Sequence, residues 1–185
     1  IGVNWKNAVG GLSTLQFYHG AIYPGGNAYL GGAQDNGGSR GSDPGGPRAW
    51  TTITTGDGGR SVIDSLDPNI LYVAAQLFDL DKSVDGGGSF RVSLRGLTEP
   101  KSNFAFVAPF AGDPNDSRRL WTAGNRIWTS ANSADDWVAA SPQLTVNNFT
   151  AIAVSPHDSN FVIAGTRAGA VFRNAQARTA SGTTS

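Results

Sequence analysis

The chain contains no cysteine and no methionine among its 185 residues. Without cysteine it can form neither a disulfide framework nor a thiolate metal site, and it has no thiol nucleophile. The first residue is Ile1, so we expect a processed chain or a fragment from which any signal peptide has already been removed.

The chain also has no excess of charge of either sign. Fourteen Lys and Arg residues balance fourteen Asp and Glu residues, so the formal net charge is zero. Because phosphate binding requires a basic surface, we expect no nucleic-acid partner. The longest apolar run lies between Phe104 and Phe110 and includes Pro109, which is far shorter than the roughly 20 residues that cross a bilayer. We therefore expect no membrane insertion.

Helical periodicity is missing as well, and short strand patterns take its place. The apolar runs are four to seven residues long, rich in Val, Ile, Phe and Ala, and bounded by Gly, Pro, Asn and Asp. This pattern is typical of β-strands joined by tight turns. The sequence therefore predicts an all-β chain.

The strands are organised by an internal repeat. Four segments share a first strand, a turn with Pro, Asp or Asn, and a second strand that ends in small residues. Their prolines stand at positions 24, 68, 114 and 156, between 42 and 46 residues apart. That period is the length of a four-stranded propeller blade. We predict a β-propeller of about four antiparallel blades over residues 1–174, with first strands near 15–22, 60–65, 104–110 and 149–155. The polar stretch 175–185 is expected to be a flexible tail.

One turn motif occurs twice, one period apart. It follows the spacing S-x-D-x-G-x-[TS]-[WF], and its first copy is Ser83, Asp85, Gly87, Ser89 and Phe90. The second copy has Ser130, Asn132 and Trp137 at the matching positions. An Asp side chain can accept backbone N–H bonds across a turn, and Gly supplies a positive φ. Because the motif recurs without its carboxylate, we interpret Asp85 as structural and not catalytic.

These motifs resemble those of the Asp-box (BNR-type) repeat propellers. That group includes sialidases, xyloglucanase-type glycoside hydrolases and sortilin-type receptors. The stretches GGAQDNGG, TGDGGRSVIDSLDPN, SVDGGGSF and RIWTSANSADDW are most similar to bacterial secreted proteins with glycosyl-hydrolase-like repeats. The resemblance implies a secreted or periplasmic location. It carries little information on activity, because one propeller scaffold supports many functions.

The N-terminus resembles the end of such a turn motif. Gly2, Asn4 and Trp5 match its tail, so we expect the chain to begin inside a blade. The last blade has only three predicted strands, and residues Val3–Val9 could supply its outer strand next to residues 170–174. Trp5 would then fill the aromatic position of that blade. A segment of a larger ring, or two copies that complete an eight-bladed ring, are the alternatives.

Candidate binding residues lie on the face opposite the turn motifs, where propellers of this type usually meet ligands. Asp35 and Asp57, each beside glycine, are the candidate acid and base of an inverting glycosidase. They could equally be turn-forming residues. The candidate ligand-binding residues on the same face are Gln34, Asn36, Arg60, Tyr18 and His19.

Some chemistries do not fit the composition. Glu99 is the only glutamate, and the Arg-x-[Ile/Val]-Pro signature of sialidases is absent, so a sialidase is disfavoured. The acidic run around Asp85 fails the pattern of a calcium-binding EF-hand loop. We predict no metal and no cofactor.

Two functional hypotheses remain. The first is a non-catalytic binding or assembly propeller that recognises a glycan or a protein partner through its polar loop face. The second is a glycoside hydrolase of the xyloglucanase-like, inverting type, or half of a two-propeller site. Self-association and the remainder of a larger propeller are further possible partners.

Overall fold

The chain forms four antiparallel β-sheets that follow one another along the sequence. A computed structural model describes residues 15–183, and its strands are all antiparallel. Sheet 1 contains β1 (Phe17–Ile22), β2 (Ala28–Ala33), β3 (Gly37–Ser42) and β4 (Thr51–Thr52). Sheet 2 contains β5 (Gly58–Ile63), β6 (Leu71–Ala75), β7 (Asp79–Ser83) and β8 (Arg91–Val92). Sheet 3 contains β9 (Phe110–Asp113), β10 (Asp116–Ala123), β11 (Ile127–Ser130) and β12 (Val138–Ala139).

Sheet 4 has three strands within the described residues, namely β13 (Phe149–Val154), β14 (Val162–Thr166) and β15 (Val171–Asn174). Three short 3₁₀ helices cover Gln76–Phe78, Lys101–Asn103 and Ala177–Thr179. Within each sheet the strands lie in chain order, each paired with the next by a turn or loop. The protein is therefore all-β, built from meanders of three or four strands.

The largest apolar core lies between sheets 2 and 3. Trp137 is 2% exposed and packs edge-on against Phe78, with ring centroids 5.6 Å apart. Phe78 also stacks on Phe104 and lies edge-on to Phe110. Such aromatic clusters bury a large apolar area in specific geometries. They hold the two sheets face to face.

The contact between sheets 1 and 2 is built differently, from backbone against backbone. A Cβ on Gly32 would overlap the backbone of Gly59, and a Cβ on Gly58 would overlap the backbone of Gly37. Gly37 also has a positive φ of 64°. Glycine is required here because any side chain would push the two sheets apart.

Two predicted features differ from the structure. The strand predicted near residues 104–110 begins only at Phe110, because Pro109 has no N–H for a central strand and the preceding residues follow a 3₁₀ helix. The tail expected to be flexible beyond residue 174 docks on the protein: Ala177 is 1% exposed and donates its N–H to the carbonyl of Asn160 at 3.0 Å. Its small side chain fits between sheets 3 and 4, which composition alone did not indicate.

The pairing predicted for Val3–Val9 concerns residues that lie outside the described residues, as does the role predicted for Trp5. The outward faces of sheets 1 and 4 carry exposed apolar side chains, among them Phe17, Ile163 and Val171. No helix within residues 15–183 is long and apolar enough to cross a membrane.

Candidate functional site

Three loops meet at one end of the first two sheets, and hydrogen bonds tie them together. They are the β2–β3 loop, the loop from sheet 1 to sheet 2, and the turn between β6 and β7. We call this region the loop face. The N–H of Gln76 donates to the carbonyl of Asp57 at 3.0 Å, and the N–H of Leu77 donates to the carbonyl of Phe106 at 3.0 Å. The loop from sheet 2 to sheet 3 is thereby joined to the same face.

Asp57 holds this face together. Its Oδ1 accepts the backbone N–H of Asp35 at 2.8 Å, and its own N–H donates to Oε1 of Gln76 at 3.1 Å. The carboxylate therefore fixes the β2–β3 loop to the next sheet. The structure brings the two candidate catalytic residues together, with the carboxylate of one against the backbone of the other.

Asp35 has a left-handed backbone and an exposed side chain. Its φ is 59°, a conformation that Asp tolerates in tight turns. The next residue, Asn36, donates its Nδ2 to the carbonyl of Gln34 at 2.7 Å and closes the turn. The turn directs Asp35 toward solvent, where its carboxylate can meet a ligand.

Half-buried Tyr18 and the exposed Gln34 and Phe106 form a cluster beside this turn. The hydroxyl of Tyr18 donates to Oε1 of Gln34 at 2.6 Å, and the Tyr18 ring lies edge-on to Phe106 with centroids 6.3 Å apart. Phe106 is 47% exposed, although it is a large apolar side chain. We call Tyr18, Gln34, Asn36 and Phe106 the aromatic–amide patch. Sequence reasoning identified three of its members and missed Phe106, which looked like part of a buried strand.

His19 and Arg60 lie behind the patch, between sheets 1 and 2. The N–H of Ser61 donates to Nδ1 of His19 at 3.4 Å, so this nitrogen acts as an acceptor. Burial and the nearby Arg60 charge lower the pKa of His19 below its ordinary value. Burial also lowers the pKa of Arg60. Both side chains are half-buried, and His19 bridges two sheets as a neutral side chain.

Glu99, the single glutamate, has a structural position. Its Oε1 accepts the N–H of Asn125 at 2.7 Å, and its Oε2 accepts Nε1–H of Trp128 at 2.6 Å. A Cβ on Gly124 would meet this carboxylate at 2.8 Å. Nδ2 of Asn103 also donates to Oε1 of Glu99 at 3.1 Å, so three donors converge on one carboxylate that joins the loop between sheets 2 and 3 to sheet 3.

The repeated turn motifs lie at the opposite end of the sheets. Oδ1 of Asp85 accepts from the Ser83 hydroxyl at 2.7 Å and from the Ser89 N–H at 2.9 Å, and Oδ2 accepts from the Ser89 hydroxyl at 2.6 Å. In the second copy, Ser130 and Asn132 make the equivalent bonds. The remaining motif glycine, Gly87, has a φ of 90° and donates its N–H to Ser83 Oγ at 2.9 Å. Phe90 ends the first copy and is half-buried.

No group of three or more His, Cys, Asp or Glu side chains that could hold a metal occurs between residues 15 and 183. The side chains that the loop face presents are aromatic rings, amides and one exposed carboxylate, that of Asp35. Such a surface can recognise a ligand that has both apolar faces and hydroxyl groups.

The fold is similar to that of GH74 enzymes. An ancestral GH74 enzyme superimposes with a TM-score of 0.69 and 16% identity over 88% of this chain and 23% of that chain. The Niastella koreensis GH74 enzyme gives a TM-score of 0.65 and 16% identity over 87% of this chain and 28% of that chain. The chain thus spans about a quarter of the length of these enzymes.

A much shorter protein is also similar. The computationally designed Ika4 protein gives a TM-score of 0.59 and 13% identity over 88% of this chain and 92% of that chain. No family model matches the sequence, and no curated protein sequence matches it. The GH74 enzymes are β-propellers, and the likeness gives this chain the same fold. The four sheets are consistent with four blades.

Proposed function

We propose that the chain is a non-catalytic, glycan-binding propeller that acts through the aromatic–amide patch. The observation that supports this most directly is the contact of the half-buried Tyr18 ring with the exposed Phe106 ring beside Gln34. Exposed aromatic side chains next to orienting polar groups are typical of ligand sites. Here they come from strand β1, the β2–β3 loop and the loop from sheet 2 to sheet 3.

A glycan is the ligand class that fits this combination. A sugar ring has an apolar C–H face, which an exposed aromatic ring can cover, and hydroxyl groups along its edge. The amide nitrogen of Gln34 can donate to such hydroxyls, while the carboxylate of Asp35 can accept from them. The four patch residues are uncharged, and the charges beside them are of both signs, since Asp35 lies between Gln34 and Asn36 and Arg167 lines a pocket with Phe106. The proposal is therefore directed at a neutral oligosaccharide.

The position of Asp57 favours binding over catalysis. An inverting glycosidase needs one carboxyl group as acid and another as base, on opposite sides of the bond that is cleaved. Oδ1 of Asp57 instead accepts the backbone N–H of Asp35, as a turn-stabilising carboxylate does. We therefore assign Asp57 to the loop face as a support and Asp35 as a ligand contact.

A glycan array, followed by calorimetry with the best neutral oligosaccharide, tests this proposal. We expect Phe106→Ala and Gln34→Ala each to weaken binding at least tenfold without lowering the melting temperature. Leu66→Ala is the matched control, because Leu66 is 84% exposed in the turn after β5 at the other end of the sheets. The proposal fails if no neutral glycan binds, or if Phe106→Ala binds as tightly as the parent protein.

Glycoside hydrolysis is the second candidate function. Two observations favour it: the 2.8 Å contact that brings Asp35 and Asp57 to one place, and the GH74-like fold. In this proposal Asp35 and Asp57 supply the acid and the base. Release of reducing ends from the bound glycan would be the readout, and Asp35→Asn and Asp57→Asn should each abolish it. Binding without any release by this chain would reject the hydrolase proposal and leave the binding proposal intact.

We also propose that the protein acts outside the cytoplasm, as a secreted or periplasmic protein, in line with its resemblance to secreted repeat proteins. Fractionation of the native host, with an antibody against this chain, tests the location.

A further inference from the structure

A cavity of about 320 Å³ lies between sheets 3 and 4. Its walls are mainly apolar, and they include Trp121, Ile127, Val162, Phe172 and Ala177. Trp121 is 1% exposed, and its Nε1–H is buried without a hydrogen-bond partner in the described part of the chain.

The repeat shows what occupies the matching place between sheets 2 and 3. Strand register aligns Leu71 with Leu120 and Val162, since these residues pair with Ser83, Ser130 and Asn174 respectively. By this alignment Trp121, Ile127 and Phe172 correspond to Tyr72, Leu80 and Trp128. The latter three belong to the core cluster that surrounds Trp137. The cavity therefore corresponds to the space that the Trp137 side chain occupies between sheets 2 and 3.

The turn after β15 has the backbone hydrogen bonds of the turn motif but none of its residues, since Asn174, Gln176, Arg178, Ala180 and Ser181 stand at the five motif positions. The N–H of Ser133 donates to the carbonyl of Arg118 at 2.8 Å, and the N–H of Ala177 donates to Asn160 at 3.0 Å in the same register. Counting on from these two residues, Ser181 stands where Trp137 stands in the second copy. The third turn thus forms without supplying the ring that fills the space between sheets.

Within the described residues, the outer edge of the neighbouring strand β15 has no paired strand. Sheets 1 to 3 each have a fourth strand, whereas β15 is the last strand of sheet 4 within residues 15–183. An exposed strand edge presents free N–H and C=O groups to which another strand can pair. Within residues 15–183, the cavity and the open edge of β15 lie side by side, as Trp137 and the strand β12 do in sheet 3.

We propose that the cavity binds an aromatic side chain carried on a fourth strand beside β15, and that residues 3–9 supply this strand with Trp5 as the aromatic residue. The sequence GVNW at positions 2–5 has the spacing of ADDW at positions 134–137, where Trp137 ends the turn motif. Fourteen residues precede the described part of the chain, which at roughly 3.3 Å per residue is ample length to reach a neighbouring sheet. The apolar lining of the cavity suits an aromatic ring.

Engineered disulfides test the strand pairing directly, because the natural chain has no cysteine. In sheet 3, Val138 pairs with Thr129. In the proposed arrangement, Lys6 would take the place of Val138 and pair with Arg173 in sheet 4. We expect Lys6→Cys combined with Arg173→Cys to form an intramolecular disulfide on mild oxidation, detected by electrophoresis and thiol titration. Lys6→Cys combined with Arg118→Cys, which places the second thiol on the exposed part of sheet 3, is the control and should stay reduced.

Thermal unfolding of the same full-length chain tests whether the Trp5 side chain fills the cavity. Trp5→Ala should lower the melting temperature by about 10 °C, as expected for removal of a buried Trp side chain from a domain of this size. Trp5→Phe should retain most of the stability. The proposal is wrong if the Lys6–Arg173 pair does not cross-link within one chain. It is also wrong if the pair links only between two chains, which would identify a second copy as the source of the strand, or if Trp5→Ala unfolds at the parent temperature.

Discussion

Nδ2 of Asn132 donates to Oδ2 of Asp136 at 3.1 Å. In the first copy of the turn motif, the equivalent hydrogen bond runs in the opposite direction, because Oδ2 of Asp85 accepts from the hydroxyl of Ser89 at 2.6 Å. The carboxylate belongs to the first of the two bonded residues in one copy and to the second in the other. Both copies keep the hydrogen bond. The motif is therefore defined by its hydrogen-bond pattern and not by a carboxylate at one fixed position.

Asp85→Ala should destabilise the protein without affecting ligand binding. The substitution removes the acceptor of three hydrogen bonds within one turn. We expect the melting temperature to fall by about 2–4 °C, the effect of losing a local turn or cap interaction in a domain of this size. Calorimetry with the glycan identified above provides the second measurement. Weaker binding by a variant that is still folded would show that Asp85 contacts the ligand.

Moving the carboxylate should be tolerated better than removing it. Asp85→Asn alone replaces a carboxylate that accepts from Ser89 by an amide, whose Nδ2 can donate but not accept. The double variant Asp85→Asn with Ser89→Asp recreates the arrangement of Asn132 and Asp136. We expect it to be more stable than Asp85→Asn. Urea unfolding of the parent protein, Asp85→Asn, Ser89→Asp and the double variant gives the coupling free energy between the two positions. A coupling free energy of zero would show that the carboxylate cannot be moved from one position to the other.

The hydrogen bonds from Ser89 and Ser83 hold the pKa of Asp85 well below its ordinary value. A carboxyl group with a lowered pKa in the folded state stabilises the fold above its unfolded pKa, and this stabilisation is lost as the pH falls toward the folded value. The difference in melting temperature between the parent protein and Asp85→Asn should therefore shrink when the pH is lowered from 6 to 3. Differential scanning calorimetry at several pH values measures it, with Asp43→Asn as a control at an exposed turn residue.

His19 should titrate below its ordinary pKa. Burial and Arg60 lower this pKa, so the unfolded chain binds the proton more tightly than the folded protein does. The contribution of His19 to stability is then complete above the unfolded pKa near 6.5 and decreases as the pH falls below it. The chain has two histidines, so His157→Asn leaves a single imidazole signal for an NMR titration. Arg60→Gln should raise the midpoint of that titration, and an unchanged midpoint would remove the electrostatic part of the explanation.

Glu99→Gln should destabilise the junction of sheets 2 and 3 while leaving the aromatic–amide patch intact. Glutamine keeps one acceptor oxygen but places an amide donor against the donors of Asn125 or Trp128. We expect a loss of about 1.5–3 kcal/mol in the free energy of unfolding, the range for a hydrogen bond to a charged group. Chemical denaturation measures the loss. Lys101→Ala is the control, because its ion pair with Asp79 is exposed and should contribute less than about 1 kcal/mol.

The sequence was sufficient to predict an all-β protein, because its strands are short, apolar and separated by turn residues. The likeness to GH74 enzymes confirms the propeller fold. Local sequence patterns were less informative where a side chain contacts residues that are distant in the sequence. The segment Phe104 to Phe110 reads as a strand, yet Phe104 packs into the core and Phe106 faces solvent.

The candidate site was predictable in its members but not in its geometry. Asp35 and Asp57 stand out in the sequence because each lies beside glycine. That Asp57 accepts a bond from the backbone of Asp35 depends on how sheet 2 follows sheet 1, and strand spacing does not encode this. Phe106 joins the patch through the bond from the Leu77 N–H to its carbonyl and through the edge-on contact with Tyr18, and no sequence pattern links these residues.

The glycine contacts between sheets 1 and 2 have a consequence for the redesign of this protein. Where large side chains separate two sheets, as Phe78 and Trp137 do, substitutions can be compensated by repacking. Between Gly32, Gly58 and their facing backbones, no smaller residue exists to compensate for an added atom. Sheets 1 and 2 must therefore be transplanted or duplicated as one inseparable unit, whereas new blades can be grafted at the later seams by exchanging side chains.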